Sequence, residues 1–177
     1  MHIEKNALEL IINTVVNVNT LTKDDLRSRK DMSTHCKRRR IDVRAIEVGE
    51  GSVREVMPPA SYVLSKDLRK VLCDWIQSVK FSYGYASNLS RCVDMKNGSL
   101  HSMKCHDYHV FMQCLLPLGF RDLLPSNVLK VLTELSQFFR NLCLSKLHMD
   151  DVLRLEKNIA EILCKLERVF CLPYSMS

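Results

Sequence analysis

The stretch Ser126-Asn127-Val128-Leu129-Lys130-Val131-Leu132-Thr133-Glu134-Leu135-Ser136-Gln137-Phe138-Phe139-Arg140-Asn141-Leu142 decides the fold class. Val128, Val131, Leu132, Leu135, Phe138, Phe139 and Leu142 recur at spacings of three and one, the period of a single helix face. Ser126 is expected to cap this helix. After a short link, Asp150 and Asp151 stand where a helix dipole favours negative charge. Val152, Leu155, Ile159, Ile162, Leu163, Leu166, Val169 and Phe170 then repeat the stripe, and Pro173 stops it. Two such helices on a short link predict an antiparallel hairpin. The expected fold is mainly α: an irregular helical domain with a C-terminal antiparallel helix hairpin and little or no sheet.

Composition agrees with this reading. A length of 177 residues suits one compact domain, or one domain with an extension. Gly and Pro together number only 10, about half the usual share, which argues against a turn-rich sandwich or barrel. The hydrophobic content of 46% is too high for a disordered chain. No apolar run approaches the ~18 residues of a membrane span, and Met1–Lys5 has no signal-peptide character. The expected location is nuclear or cytoplasmic, neither secreted nor membrane-bound.

Ile3, Ala7, Leu10, Ile11, Thr14, Val15 and Val18 mark a first helical stripe, weakening at the β-branched Val15-Val16-Asn17-Val18. Thr22 resembles an N-cap, with Asp25 three residues on, for a polar helix from Lys23 to about His35. Gly49-Glu50-Gly51-Ser52 and Pro58-Pro59 mark a boundary, and Ala60–Leu64 is expected to be extended. Ser65 caps a helix bearing Leu68, Val71, Leu72, Trp75, Ile76 and Val79, with Trp75 in the core. Asn97-Gly98 marks a turn whose flanks alternate weakly, short of a hairpin signal. Met103–Leu116 is expected to be helical, and Pro117, Gly119 and Pro125 are expected to interrupt the next stretch. The expected organisation is a basic helical piece (1–48), a linker and helix (49–102), a helical domain (103–172) and a tail (173–177).

Charge is concentrated. The formal net charge is +6, and residues 22–44 hold nine Lys/Arg (Lys23, Arg27, Arg29, Lys30, Lys37, Arg38, Arg39, Arg40, Arg44) against four Asp. A patch of this kind binds phosphate or serves as a nuclear-import signal, and Lys37, Arg38, Arg39, Arg40 and Arg44 are the candidate nucleic-acid contacts. Eight cysteines without a Cys-x-x-Cys pair, in a chain with no secretory signal, argue against a disulfide framework. Cys114, Cys143 and Cys164 are expected in the core.

The densest polar cluster is Lys104-Cys105-His106-Asp107-Tyr108-His109. On a helix Cys105 and His109 are four residues apart and His106 and His109 three apart, so Cys105, His106 and His109 are the candidate metal ligands, with Cys92 and His101 as further donors. The structural alternative is a helical first turn in which Asp107 meets the dipole. No oxyanion device accompanies the cysteines, and no Gly-rich phosphate loop or hydrolase motif occurs. No cofactor is expected.

His2-Ile3-Glu4-Lys5-Asn6 followed by Thr22-Lys23-Asp24-Asp25-Leu26 and Arg29 resembles the C-terminal end of plant En/Spm-type (CACTA) transposases. Pro58-Pro59-Ala60-Ser61-Tyr62-x-Leu64-Ser65-Lys66 and Gly84-Tyr85-x-Ser87-Asn88-Leu89 resemble the next segments of that family. Met103–Gln113, with Leu115-Leu116-Pro117, Leu123-Leu124-Pro125 and Leu163-Cys164-Lys165-Leu166-Glu167 before Phe170, is similar to the plant domain of unknown function 4218. The block His106-Asp107-x-His109 with Gln113 and Leu-Leu-Pro is its specific part, although Cys105 and Tyr108 depart from the family pattern.

The resemblance implies relatives that cut DNA with metal ions held on three acidic residues. Glu4 is a candidate remnant of the last of these, with its partners expected upstream of Met1. The chain is thus expected to be an internal piece of a transposon reading frame, not an enzyme. Its expected partners are DNA through residues 22–44 and a second copy through residues 126–170, with no membrane. The alternatives are a helical protein-interaction module and a small zinc-binding module around His106.

Overall fold

The computed structural model describes residues 2–18, 21–35, 41–47, 49, 52–81 and 88–170. The fold is mainly α, as the helical periods predict. Helices α1 (His2–Val15), α2 (Leu26–His35) and α3 (Lys66–Ser78) precede a helical run of α4 (Cys105–Val110), a π-helical segment (Phe111–Leu115) and α5 (Leu116–Gly119). The hairpin of α6 (Ser126–Leu142) and α7 (Met149–Val169) completes the described chain. Among the described residues, sheet is limited to two antiparallel pairs: β1 (Arg44–Glu47) with β2 (Val53–Val56), and β3 (Val93–Asp94) with β4 (Ser99–Leu100). β1 and β2 pair across the expected boundary at 48–49, with Ala45 opposite Glu55. β3 and β4 flank Asn97-Gly98, with Gly98 at φ +61°. The weak alternation there conceals a hairpin too short to show a period.

One apolar cluster draws on all three stretches into which punctuation divides the chain. It contains Leu8 and Ile12 of α1, Leu72 and Ile76 of α3, Phe111 and Leu116 of the central run, and Leu132, Ile162 and Phe170 of the terminal hairpin. Burying a residue such as Phe111 or Leu132 contributes about 1.5–3 kcal/mol. The order of contacts between α6 and α7 is antiparallel: Glu134 ion-pairs with Lys165 at 2.6 Å, and Asn141 and Leu155 line one cleft at the other end.

Several local expectations shift. α2 starts at Leu26, because Asp25 caps it by accepting Ser28 N–H at 2.7 Å, while the Thr22 hydroxyl accepts Asp24 N–H at 3.1 Å. Each cap sits where its side chain reaches an orphan N–H. Ser126 is the first residue of α6 rather than its cap; Pro125 precedes it with φ −56°, and the Pro125 carbonyl accepts from Val128 and Leu129. Ser65 caps α3, as its spacing predicts, by accepting Leu68 N–H at 3.3 Å. Residues 60–63 form a turn, with Val63 N–H on the Ala60 carbonyl, rather than an extended run. Pro173 lies outside the described residues.

The stripe of α1 is rotated relative to its apolar pattern. Ile3 is 78% exposed, whereas Glu4, Leu8, Ile11 and Val15 are buried. Val71, Leu142, Val152 and Leu163, expected on buried stripes, are exposed as well. In the terminal hairpin the covered seam of α7 is narrower than its apolar content, with Leu155, Ile162 and Leu166 buried. Cys143 and Cys164 are exposed and Cys114 is half-buried, correcting the expectation that all three are core. Cys73 and Cys92 are the buried thiols among the described residues. No described helix is long and apolar enough to cross a membrane.

Candidate functional site

α1 ends cleanly, and that ending helps position its N-terminal half. Asn17 adopts the left-handed conformation (φ 53°), and Val18 N–H reaches back to the Asn13 carbonyl at 2.9 Å, which is the Schellman arrangement. The released carbonyls of Val15 and Val16 accept from Leu64 N–H and Arg69 Nη1 at 2.8 and 3.0 Å. Fixed at this end, α1 lies against α4.

The α1–α4 contact contains a buried polar site. Glu4 is 2% exposed. Its Oε2 lies 2.8 Å from His109 Nδ1, and its Oε1 accepts from Gln113 Nε2 at 3.1 Å. With the proton on Nδ1, His109 donates to the carboxylate. Gln113 Nε2 also donates to the Phe139 carbonyl at 3.4 Å, tying the site to α6. Beside it, Lys5 Nζ stands 5.7 Å from the centre of the Tyr108 ring, and burial raises the Tyr108 hydroxyl above its ordinary pKa.

The π-helical segment explains the placement of Gln113. Pro117 has no N–H to offer the Gln113 carbonyl, so an ordinary helix through Pro117 would leave that carbonyl without its partner. The ladder instead shifts register, with Leu116 N–H bonding to the Phe111 carbonyl, and Ser136 Oγ of α6 donates to the Gln113 carbonyl at 3.4 Å. The helix therefore runs through Pro117, where the sequence pattern predicts an interruption. Insertions of this kind gather at functional sites.

Among the described residues, Glu4, His109 and Cys143 form the group of possible metal ligands, with ligand atoms all within 4.8 Å of one another. Of the expected set, His109 is in this group, whereas Cys105 and His106 are not. Cys105 is half-buried at the first turn of α4, and His106 is exposed, its ring 6.1 Å from that of His109. Cys92 is buried with Sγ 3.8 Å from the Ser102 carbonyl, its thiol pushed up by burial, and His101 is exposed. Asp107 lies in the first turn of α4 and accepts from Lys104 N–H at 2.9 Å, which places it at the positive end of the helix dipole, as the structural alternative has it.

A second buried cluster joins Asp24, Arg29, Ile41, Pro58 and Tyr62. Arg29 grips Asp24 through two nitrogens, at 2.5 and 2.7 Å. It also donates to the Ile41 and Pro58 carbonyls at 2.9 and 2.6 Å, while Tyr62 donates to Asp24 at 2.9 Å. Arg29 is thus buried in an ion pair rather than offered to solvent. Lys30 pairs with Glu55 at 2.7 Å. Lys37, Arg38, Arg39 and Arg40 lie outside the described residues. Arg44 is exposed on β1, and the β1–β2 register puts Arg54 on the same face of the ribbon.

Sequence reasoning missed Cys143, Asp24, Arg29 and Tyr62 as members of polar clusters. Nothing in the local spacing joins Glu4 to residues 105 and 109 positions away. The chain matches no family model, no curated protein and no solved structure.

Proposed function

We propose that this chain is a transposase-associated module of the plant CACTA type, without catalytic activity of its own, that associates with DNA through its basic segment. One observation carries the reading. The residues on which the resemblance rests are the ones that meet: Glu4 with His109 and Gln113, Arg29 with Asp24 and Pro58, and Tyr62 with Asp24. The contacts of Tyr62 and of Glu4 span 38 to 109 residues, so the segments that carry the resemblance pack together. Glu4 holds its neighbours together through both carboxylate oxygens, and among the described residues its group of candidate ligands contains a single carboxylate, whereas two-metal DNA cleavage needs several. The exposed Arg44 and Arg54 add positive charge on one ribbon face, close in sequence to the run Lys37–Arg40.

The test is binding of the full chain to a short duplex across a salt series. Affinity should fall steeply with salt, and replacing Lys37, Arg38, Arg39, Arg40 and Arg44 by Ala should flatten the log–log slope by about 0.9 per lost phosphate contact. Salt-independent binding, or binding unchanged in that variant, rejects the DNA assignment. Metal-dependent cutting of duplex DNA by the purified chain rejects the non-catalytic one.

A protein-interaction reading has its own support. Leu142, Leu144, Leu147, Met149, Val152 and Leu153 are all exposed around the α6–α7 link, more apolar surface in one place than isolated exposed residues leave. Concentration-dependent light scattering that is lost on replacing Leu144 and Met149 by Lys supports self-association there; a monomer at all concentrations removes it.

A further inference from the structure

We propose that Glu4, His109 and Cys143 form a three-ligand site for one borderline-soft divalent cation of the zinc type, joining the N-terminal helix to the end of α6. The three side chains offer a carboxylate oxygen, an imidazole nitrogen and a sulfur, a donor mixture that suits zinc and leaves a fourth position for water. This site is independent of the DNA reading, and its ligands differ from the helical Cys105–His106–His109 set that spacing alone suggests.

The geometry favours it on three counts. First, a tetrahedral zinc with metal–nitrogen bonds of about 2.0–2.1 Å and metal–sulfur bonds of about 2.3 Å holds its ligand atoms about 3.3–3.6 Å apart. Glu4 Oε2 and His109 Nδ1 start 2.8 Å apart and all three ligand atoms fall within 4.8 Å. A small opening of the first pair and a turn of the exposed Cys143 side chain close the site. Second, the outer shell is already built. Gln113 Nε2 donates to Glu4 Oε1, the oxygen left over when Oε2 ligates, and is itself anchored on the Phe139 carbonyl. Groups of this kind orient metal-bound carboxylates. Third, the elements that converge are rigid helices: the first turn of α1, the α4–π junction and the C-cap of α6.

Binding replaces the Nδ1–H···O hydrogen bond by two metal bonds. The imidazole proton moves to Nε2 of a ring whose side chain is 26% exposed. The Cys143 thiol gives its proton to the buffer, since only the thiolate ligates.

The test loads the full chain with cobalt(II), a spectroscopic stand-in for zinc. The expected result is about one equivalent bound, with a thiolate-to-metal charge-transfer band that zinc abolishes by displacement. Cys143→Ser should remove the band without changing the helical circular dichroism of the metal-free chain, because Cys143 is exposed and takes no part in the core. Gln113→Ala should keep the stoichiometry and weaken affinity about 10- to 100-fold. The band should persist in Cys105→Ser and in Cys36→Ser/Cys171→Ser. Zinc should raise the unfolding temperature of the parent chain and not that of Cys143→Ser. No cobalt bound, or a charge-transfer band that survives Cys143→Ser, overturns the proposal.

Discussion

At the scale of single residues, this molecule uses buried charge as joints. Asp24 and Arg29 are each 3% exposed and satisfy one another, two carbonyls and a tyrosine. Removing one partner strands the other in a dry environment. Asp24→Asn is expected to lower stability by about 3–5 kcal/mol, measured by urea unfolding. A double-mutant cycle with Arg29→Met should show strong coupling. Glu4→Ala should cost about 1.5–3 kcal/mol, because it removes the buried carboxylate that His109 meets and that Gln113 uses beside the Phe139 carbonyl. The cysteines give a check on burial. Burial raises the Cys73 and Cys92 thiols above their ordinary pKa, and only thiolate reacts. Alkylation of the native protein should mark Cys143 and Cys164 before Cys73 and Cys92, which should react only once denaturant is added, as read by mass spectrometry.

Helices and turns add their own constraints. The Asp25 cap carries a pH dependence. The Ser28 N–H bond, opposed by some burial, holds the Asp25 carboxyl below its ordinary range. A depressed carboxyl stabilises the fold above its unfolded pKa of about 3.9, and that contribution is lost as pH falls through the lower folded value. Asp25→Ala should therefore cost about 1 kcal/mol at neutral pH and progressively less in acid, as followed by thermal melts between neutral pH and about pH 3. Gly119 lies at the end of α5, where an added Cβ would stand 2.6 Å from the Trp75 ring. Gly119→Ala should cost about 1–3 kcal/mol through overpacking, and Gly119→Ala/Trp75→Leu should recover part of it. The expected core role of Trp75 is realised as this contact, although the ring is only partly buried.

For the whole molecule, the period of the apolar residues is enough to find α3, α6 and α7 and the antiparallel pairing of the last two, because a helix of more than ten residues repeats its stripe several times. Shorter elements escape. β1 and β2 are four residues each and almost wholly exposed, so no alternation in burial marks them. The rotated stripe of α1 is illegible for a different reason: hydrophobicity assigns Ile3 inward and Glu4 outward, and only the arrival of His109 and Gln113 makes a buried Glu4 favourable. The candidate site is half legible. His109 and Glu4 each carry a signal, in different contexts, while the apolar surroundings of Cys143 assign it to the core.

Local chemistry in the chain by itself determined the helical class, the terminal hairpin, the Ser65 cap and the concentration of charge near residues 22–44, because periodicity, capping and composition act over a few residues. Tertiary structure alone decided which charges are buried, which apolar side chains stay in water, and which ligand atoms converge. Those outcomes depend on partners more than a hundred residues away, such as Glu4 and Gln113, whose meeting is set by how α1 packs on the π-interrupted helix and by no pattern within either segment.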